Sequence, residues 1–73
     1  MLTVLAFARY RQLLGFDRLE LPPAPTLDAL LSDARFAKLP KDALLAVNQE
    51  FADRAAALKD GDEVALMPPV SGG

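Results

Sequence analysis

Apolar residues recur along this chain with two different periods. Residues 2–7 form a short apolar run with β-branched members, which predicts a strand. Leu2, Val4 and Ala6 share one face of it, and Thr3, Leu5 and Phe7 the other. Residues 8–14 predict a brief helix that stops at Gly15. In 16–21, Phe16, Leu19 and Leu21 are interleaved with Asp17, Arg18 and Glu20, which predicts a second strand pairing with the first. Pro22, Pro23 and Pro25 then stiffen a loop. Thr26 is a natural cap for a helix over 27–36, with Leu27, Leu30, Leu31 and Ala34 on one buried stripe and Asp28 in the first turn.

Beyond Pro40, residues 43–48 predict a third strand and Asn48-Gln49-Glu50 a turn. Phe51 and Ala52 start another short strand. The Ala-rich stretch 53–58 suits a helical turn, and Lys59-Asp60-Gly61-Asp62 is a strong turn signal. Residues 63–67 are the last strand, ended by Pro68-Pro69. One main helix among five short strands implies an α+β domain, a mixed sheet curled over that helix. Its first and last strands lie side by side in the middle, the arrangement called a ubiquitin-like β-grasp. Residues 1–67 form this domain, and 68–73 a flexible tail ending in Gly-Gly.

Composition narrows the chemistry more than it narrows the fold. The chain has 73 residues, no cysteine and no histidine, and 52% of it is hydrophobic. Disulfides and Cys/His zinc sites are therefore excluded, and stability rests on apolar packing. A net charge of −2 without a Lys/Arg cluster argues against nucleic acid as the partner. Arg9 and Arg11 read as a solvated helix face. No apolar run approaches the ~20 residues of a membrane span, and the first residues lack the basic stretch of a secretory signal. The expected location is cytoplasmic.

A free-standing enzyme is hard to build from these residues. Triads that use histidine are excluded. The serines are Ser32, in the helix, and Ser71, in the tail; Gly15 and Gly61 are too isolated for a phosphate loop. The carboxylates of Asp17, Asp28, Asp33, Asp42, Asp53, Asp60 and Asp62 read as surface charge, with no metal-ligand motif among them. The tail is different. Six residues from Pro68 reach about 20 Å when extended. Pro68 and Pro69 restrict its base, which lowers the entropy lost on docking. Gly72 and Gly73 keep the tip slim enough to enter a narrow site and present the Gly73 carboxylate there.

Three stretches carry a family resemblance: Ala46-Val47-Asn48-Gln49, Leu58-Lys59-Asp60-Gly61-Asp62-Glu63-Val64-Ala65, and Pro68-Pro69-Val70-Ser71-Gly72-Gly73. With the opening Val4-Leu5-Ala6-Phe7-Ala8, Arg11 and Leu14-Gly15, they make the chain similar to the small, sulfur-carrying subunits of molybdopterin synthase. It departs at Leu66-Met67, where an aromatic is common in that family. The resemblance implies that an activating enzyme of the ubiquitin-E1 type adenylates Gly73 with ATP and magnesium. Sulfur then replaces AMP to give a thiocarboxylate. The tail, with Val70, Ser71 and Gly72 behind its tip, delivers that sulfur to the molybdopterin precursor inside the large subunit, within a heterotetramer. This chain itself would bind no cofactor and no metal, and the catalytic groups would belong to the partners.

The strand pattern adds a partner surface. With Leu2, Val4 and Ala6 toward the helix, Leu5 and Phe7 face outward. Val64 and Leu66 point in, leaving Ala65 and Met67 out. Phe7 and Met67 then form an apolar patch beside the tail, next to Pro68 and Pro69. Two related readings share fold and tail: a sulfur carrier for thiamine thiazole synthesis, and a ubiquitin-like modifier joined through Gly73 to lysines.

Overall fold

A computed structural model describes residues 1–69 of the chain. Five strands form one sheet: β1 (Leu2–Ala6), β2 (Arg18–Leu21), β3 (Leu44–Val47), β4 (Glu50–Ala52) and β5 (Glu63–Met67), in the order β2-β1-β5-β3-β4. The first and last strands are parallel neighbours at the centre, with Val4 opposite Val64 and Ala6 opposite Leu66. The other pairings are antiparallel. Two short helices, α1 (Tyr10–Leu14) and α2 (Leu27–Leu31), and a 3₁₀ turn, Ala34–Phe36, complete the regular structure of the described residues.

The alternation of β1 and β5 decides which face is dry. Leu2, Val4, Val64 and Leu66 are fully buried and pack with Leu27, Leu30, Leu31 and Phe36. Burying each such side chain is worth roughly 1.5–3 kcal/mol, the main source of stability in a chain without staples. Phe16 meets Phe36 edge to face at 6.2 Å. Gly15 ends α1 in the left-handed conformation, φ 85°, as the sequence predicts.

Three expectations need correction. The main helix runs only to Leu31, not to 36. Thr26 does cap it, accepting from Ala29 N–H at 3.1 Å. But Ser32 Oγ donates back to the Asp28 carbonyl at 2.7 Å, and extended Asp33 caps the separate 3₁₀ turn by accepting from Arg35 N–H. A Ser-Asp pair that bonds its own backbone interrupts the helix. In consequence Ala34 is exposed and Phe36 takes the buried place. Residues 53–58 hold a single turn only at 53–56, closed by Ala56 N–H donating to the Asp53 carbonyl at 3.1 Å, and no helix. Asp53 makes an Asx turn with Ala55, and the strip then runs extended along the start of α2, where Leu58 N–H donates to the Pro25 carbonyl and Ala57 bridges Thr26. Finally, Asp62 is not surface charge; it is 5% exposed, the one buried charged residue among those described.

No described helix is long and apolar enough to cross a membrane. Pro68 and Pro69 are half-buried, and the rest of the expected tail, Val70, Ser71, Gly72 and Gly73, lies outside the described residues.

Candidate functional site

The outer face of the sheet carries one cross-strand row that explains its shape. Arg18 pairs with Leu5, Leu5 with Ala65, Ala65 with Ala46, and Ala46 with Phe51. Two alanines therefore lie between two large side chains. They floor a depression of about 430 Å³. Leu5 and Phe7 rise on one side of it, Gln49 and Phe51 on the other, and Met67 closes one end.

Backbone geometry aims these walls. Phe7 N–H still donates to the Leu66 carbonyl at 3.1 Å, so Phe7 follows the outward alternation of β1. Ala8 then turns the chain into α1 with φ 54°, a left-handed conformation costly for alanine. Asn48 and Gln49 have φ 51° and 70°, both positive as a two-residue hairpin turn requires. That turn sets the register Val47–Glu50 and Ala46–Phe51, and so puts Phe51 on the outer face. Phe7 is 42% exposed and Phe51 76% exposed. Large apolar side chains that remain in water around a concave floor make this face the candidate interaction surface.

Asn48 also closes a polar bracket at the start of β5. Its Nδ2 donates to Asp62 Oδ1 at 2.9 Å, and its Oδ1 accepts from Glu63 N–H at 2.9 Å. Asp62 Oδ2 accepts from Lys59 N–H at 2.9 Å, within the turn in which Gly61 takes φ 91°. The Asn48 amide and, after it, the Lys59 N–H hold the Asp62 carboxyl below the usual carboxylate range. The Asp33 carboxyl is lowered as well, mainly by the Arg35 backbone N–H. Tyr10 is fully buried, its hydroxyl has no hydrogen-bond partner among the described residues, and burial pushes its phenol up. Arg9 lies over the Tyr10 ring at 5.6 Å, on the otherwise exposed face of α1.

Of the residues singled out in the sequence, Phe7 and Met67 are brought together around the depression, and Pro68 and Pro69 follow directly. The depression also recruits Phe51, to which the sequence pattern gives no role, and Ala46 and Gln49, which carry the family resemblance but are given no place on this surface by the sequence. Their signal is the two-residue turn at Asn48-Gln49, which fixes the pairing of 46 with 51. Among the described residues no group of three His, Cys, Asp or Glu side chains is placed to hold a metal ion.

Comparison with known proteins agrees with this geometry. The ThiS family model matches residues 4–73. The molybdopterin synthase sulfur carrier subunit of Escherichia coli K12 is 42% identical over 81 aligned positions, covering 100% of both chains. A solved structure described as a molybdopterin converting factor subunit 1, from Pyrococcus furiosus, superposes with a TM-score of 0.77 at 33% identity, covering 94% of this chain and 97% of that one. The Helicobacter pylori complex of subunits 1 and 2 of molybdopterin-converting factor matches with a TM-score of 0.70 at 25% identity, over 99% of this chain and 97% of that one. With its ubiquitin-like β-grasp fold and a match that reaches its final glycine, the chain belongs to the ThiS family, among the molybdopterin synthase sulfur carrier subunits.

Proposed function

We propose that this protein carries sulfur on the carboxyl group of Gly73 and delivers it to the molybdopterin precursor within molybdopterin synthase. The observation that carries the reading is the depression beside Phe7 and Met67: the strand that leads into Pro68 and Pro69 forms part of its wall. A partner gripping that face is directly beside the base of the tail. The relative solved as a complex of subunits 1 and 2 supports a large synthase subunit as that partner, and two copies of each chain would make a heterotetramer.

The chemistry divides between chains. The Gly73 carboxylate attacks ATP, with magnesium, on an E1-like enzyme, forming an acyl adenylate and releasing pyrophosphate. A persulfide donor displaces AMP, giving an acyl disulfide. A thiol cleaves it, leaving the thiocarboxylate on Gly73 and the donor as a disulfide. The thiocarboxylate sulfur, a soft nucleophile, then forms a carbon–sulfur bond to the precursor in the large subunit as a carbon–oxygen bond there breaks. Water cleaves the resulting thioester, leaving the sulfur on the product and the carboxylate on Gly73. Gly72, Ser71 and Val70 would give the tail access to the partner's channel, and a Cβ at 72 would obstruct it. This chain supplies position and the carboxyl group that carries the sulfur; ATP, magnesium and the acid–base groups are held by the partners. Such a cycle operates in the cytoplasm.

Intact-mass measurement tests the scheme. After incubation with the activating enzyme, ATP, magnesium and a persulfide donor, the protein gains the mass difference between sulfur and oxygen, located on Gly73. Gly73→Ala slows both adenylation and transfer. An unchanged mass, or cofactor synthesis undiminished by removal of the last two glycines, would overturn it.

A further inference from the structure

We propose that Asn48 and Asp62 are positioning residues that fix the Gln49–Phe51 wall of the docking depression against β5; the inference rests on the docking reading above. Beyond the bracket, the wall is held by its pairing with β3 and by Ala52, which packs against the core. β4 has three residues, lies at the sheet edge, and among the described residues pairs only with β3. Its side chain at Phe51 is mostly in water. An edge hairpin of this length is a low-stability part of a fold unless something ties it down.

The bracket supplies the tie at the place where the ladder has to stop. Asn48 N–H donates to the Glu63 carbonyl at 2.7 Å, continuing the β3–β5 pairing by one residue. At φ 51° the Asn48 backbone then turns away into the hairpin. Its side-chain Oδ1 accepts from Glu63 N–H in place of the carbonyl that has turned. Asp62 holds the same side chain from below through Nδ2, and is itself held by Lys59 N–H. Gln49 is thus attached to an atom fixed on both sides by β5 and the turn before it. Phe51 follows through the register with Ala46. The bracket uses both Asn48 side-chain atoms and both Asp62 oxygens, so each residue type is required where it stands.

The same inventory permits a strict test. In Asp62→Asn the two amides face each other, and in Asn48→Asp two carboxylates do. The double exchange N48D/D62N swaps the two groups. The amide now at position 62 donates to the carboxylate now at position 48, whose second oxygen accepts from Glu63 N–H. The amide oxygen at 62 accepts from Lys59 N–H, so all three bonds are restored, with only the one between the two side chains reversed. Association with the purified large subunit is measured by surface kinetics well below the melting temperatures, where each variant is confirmed folded by circular dichroism. Each single variant is expected to bind about tenfold more weakly, through faster dissociation, and the double variant to recover to within about threefold of the wild type. A bracket that served only global stability would leave the dissociation rate of folded protein unchanged.

Asn48→Gly provides the arm least prone to unfolding, since glycine keeps the left-handed turn and deletes only the side-chain bonds. It too is expected to dissociate faster. Wild-type kinetics for Asn48→Gly, or no recovery in the folded double exchange, would overturn the proposal. Phe7→Glu serves as the control. If it weakens binding and Asn48→Gly does not, the clamp alone fails. If Phe7→Glu binds like the wild type, the docking face itself is wrong and the clamp falls with it.

Discussion

Ala46 and Ala65 oppose each other across β3 and β5 on the outer face, and their small side chains leave the hollow between Leu5 and Phe51. Concavity in this sheet is made by omission of side-chain volume from the centre of a row. Filling that volume therefore removes the hollow without touching the core on the opposite face.

The first prediction concerns that floor. Ala65→Trp places an indole between Leu5 and Phe51. Affinity for the large subunit falls by about 100-fold, the scale of losing a central interface pocket. The melting temperature changes little, because Val64 and Leu66, not Ala65, face the core. Calorimetric titration and thermal unfolding measured side by side check both halves. Tight binding by this variant would contradict the assignment of the face.

Gln49 carries the second. Its φ of 70° is one that glycine adopts without strain. Gln49→Gly relieves roughly 1–2 kcal/mol of left-handed strain and returns part of it as added freedom in the unfolded chain, leaving the variant more stable by about 0.5–1 kcal/mol. The same change strips one wall of the hollow, so the variant binds the large subunit less well. Urea unfolding and a binding titration should move in opposite directions.

The third follows from Asp62. Its carboxyl titrates below the ordinary range in the folded protein. The stability it contributes is present above the unfolded-state pKa, about 3.9, and is lost as pH falls through the lower folded value. Below about pH 4 the melting temperature of the wild type therefore drops toward that of Asp62→Asn, while above pH 5 the gap between them is constant. A gap unchanged from pH 7 down to pH 2 would refute this.

Tyr10 gives the fourth, at the other end of the scale. Its phenol is raised by burial, so above pH ~10 the unfolded chain ionises where the folded chain resists. Stability falls as pH rises through that range. Tyr10→Phe removes the alkaline loss. It also removes a buried hydroxyl that has no partner among the described residues, so it is neutral or stabilising by about 1 kcal/mol at pH 7. Thermal melts at pH 7 and pH 11 distinguish the two contributions.

Legibility in the sequence varies with the range of the interaction. Strand alternation and the stops at Gly15 and Pro68 are local, and the sequence delimits β5 to the residue. The pairing of β1 with β5 follows from the order of elements. Periodicity overextends the helix after Thr26 because Leu27, Leu30 and Leu31 set a period that Ala34 continues. The Ser32 and Asp33 side chains that break it act through bonds to backbone, which periodicity does not register. Asp62 escapes a sequence reading for a related reason. Carboxylates next to glycine in a turn are usually wet, and the partner that meets this one, Asn48, lies 14 positions away. Phe51 falls in a predicted strand but acquires no role there, because its exposure depends on β4 being the edge of the sheet.

The central place of β5 has a mechanical consequence. Any machinery that draws the chain's end into a channel pulls on Met67, and hence along β5. That strand is laced on one flank to β1 and on the other to β3. A tug along its length loads both ladders in shear at once and cannot peel them open one bond at a time. A pull on the tip would therefore meet the resistance of both ladders together.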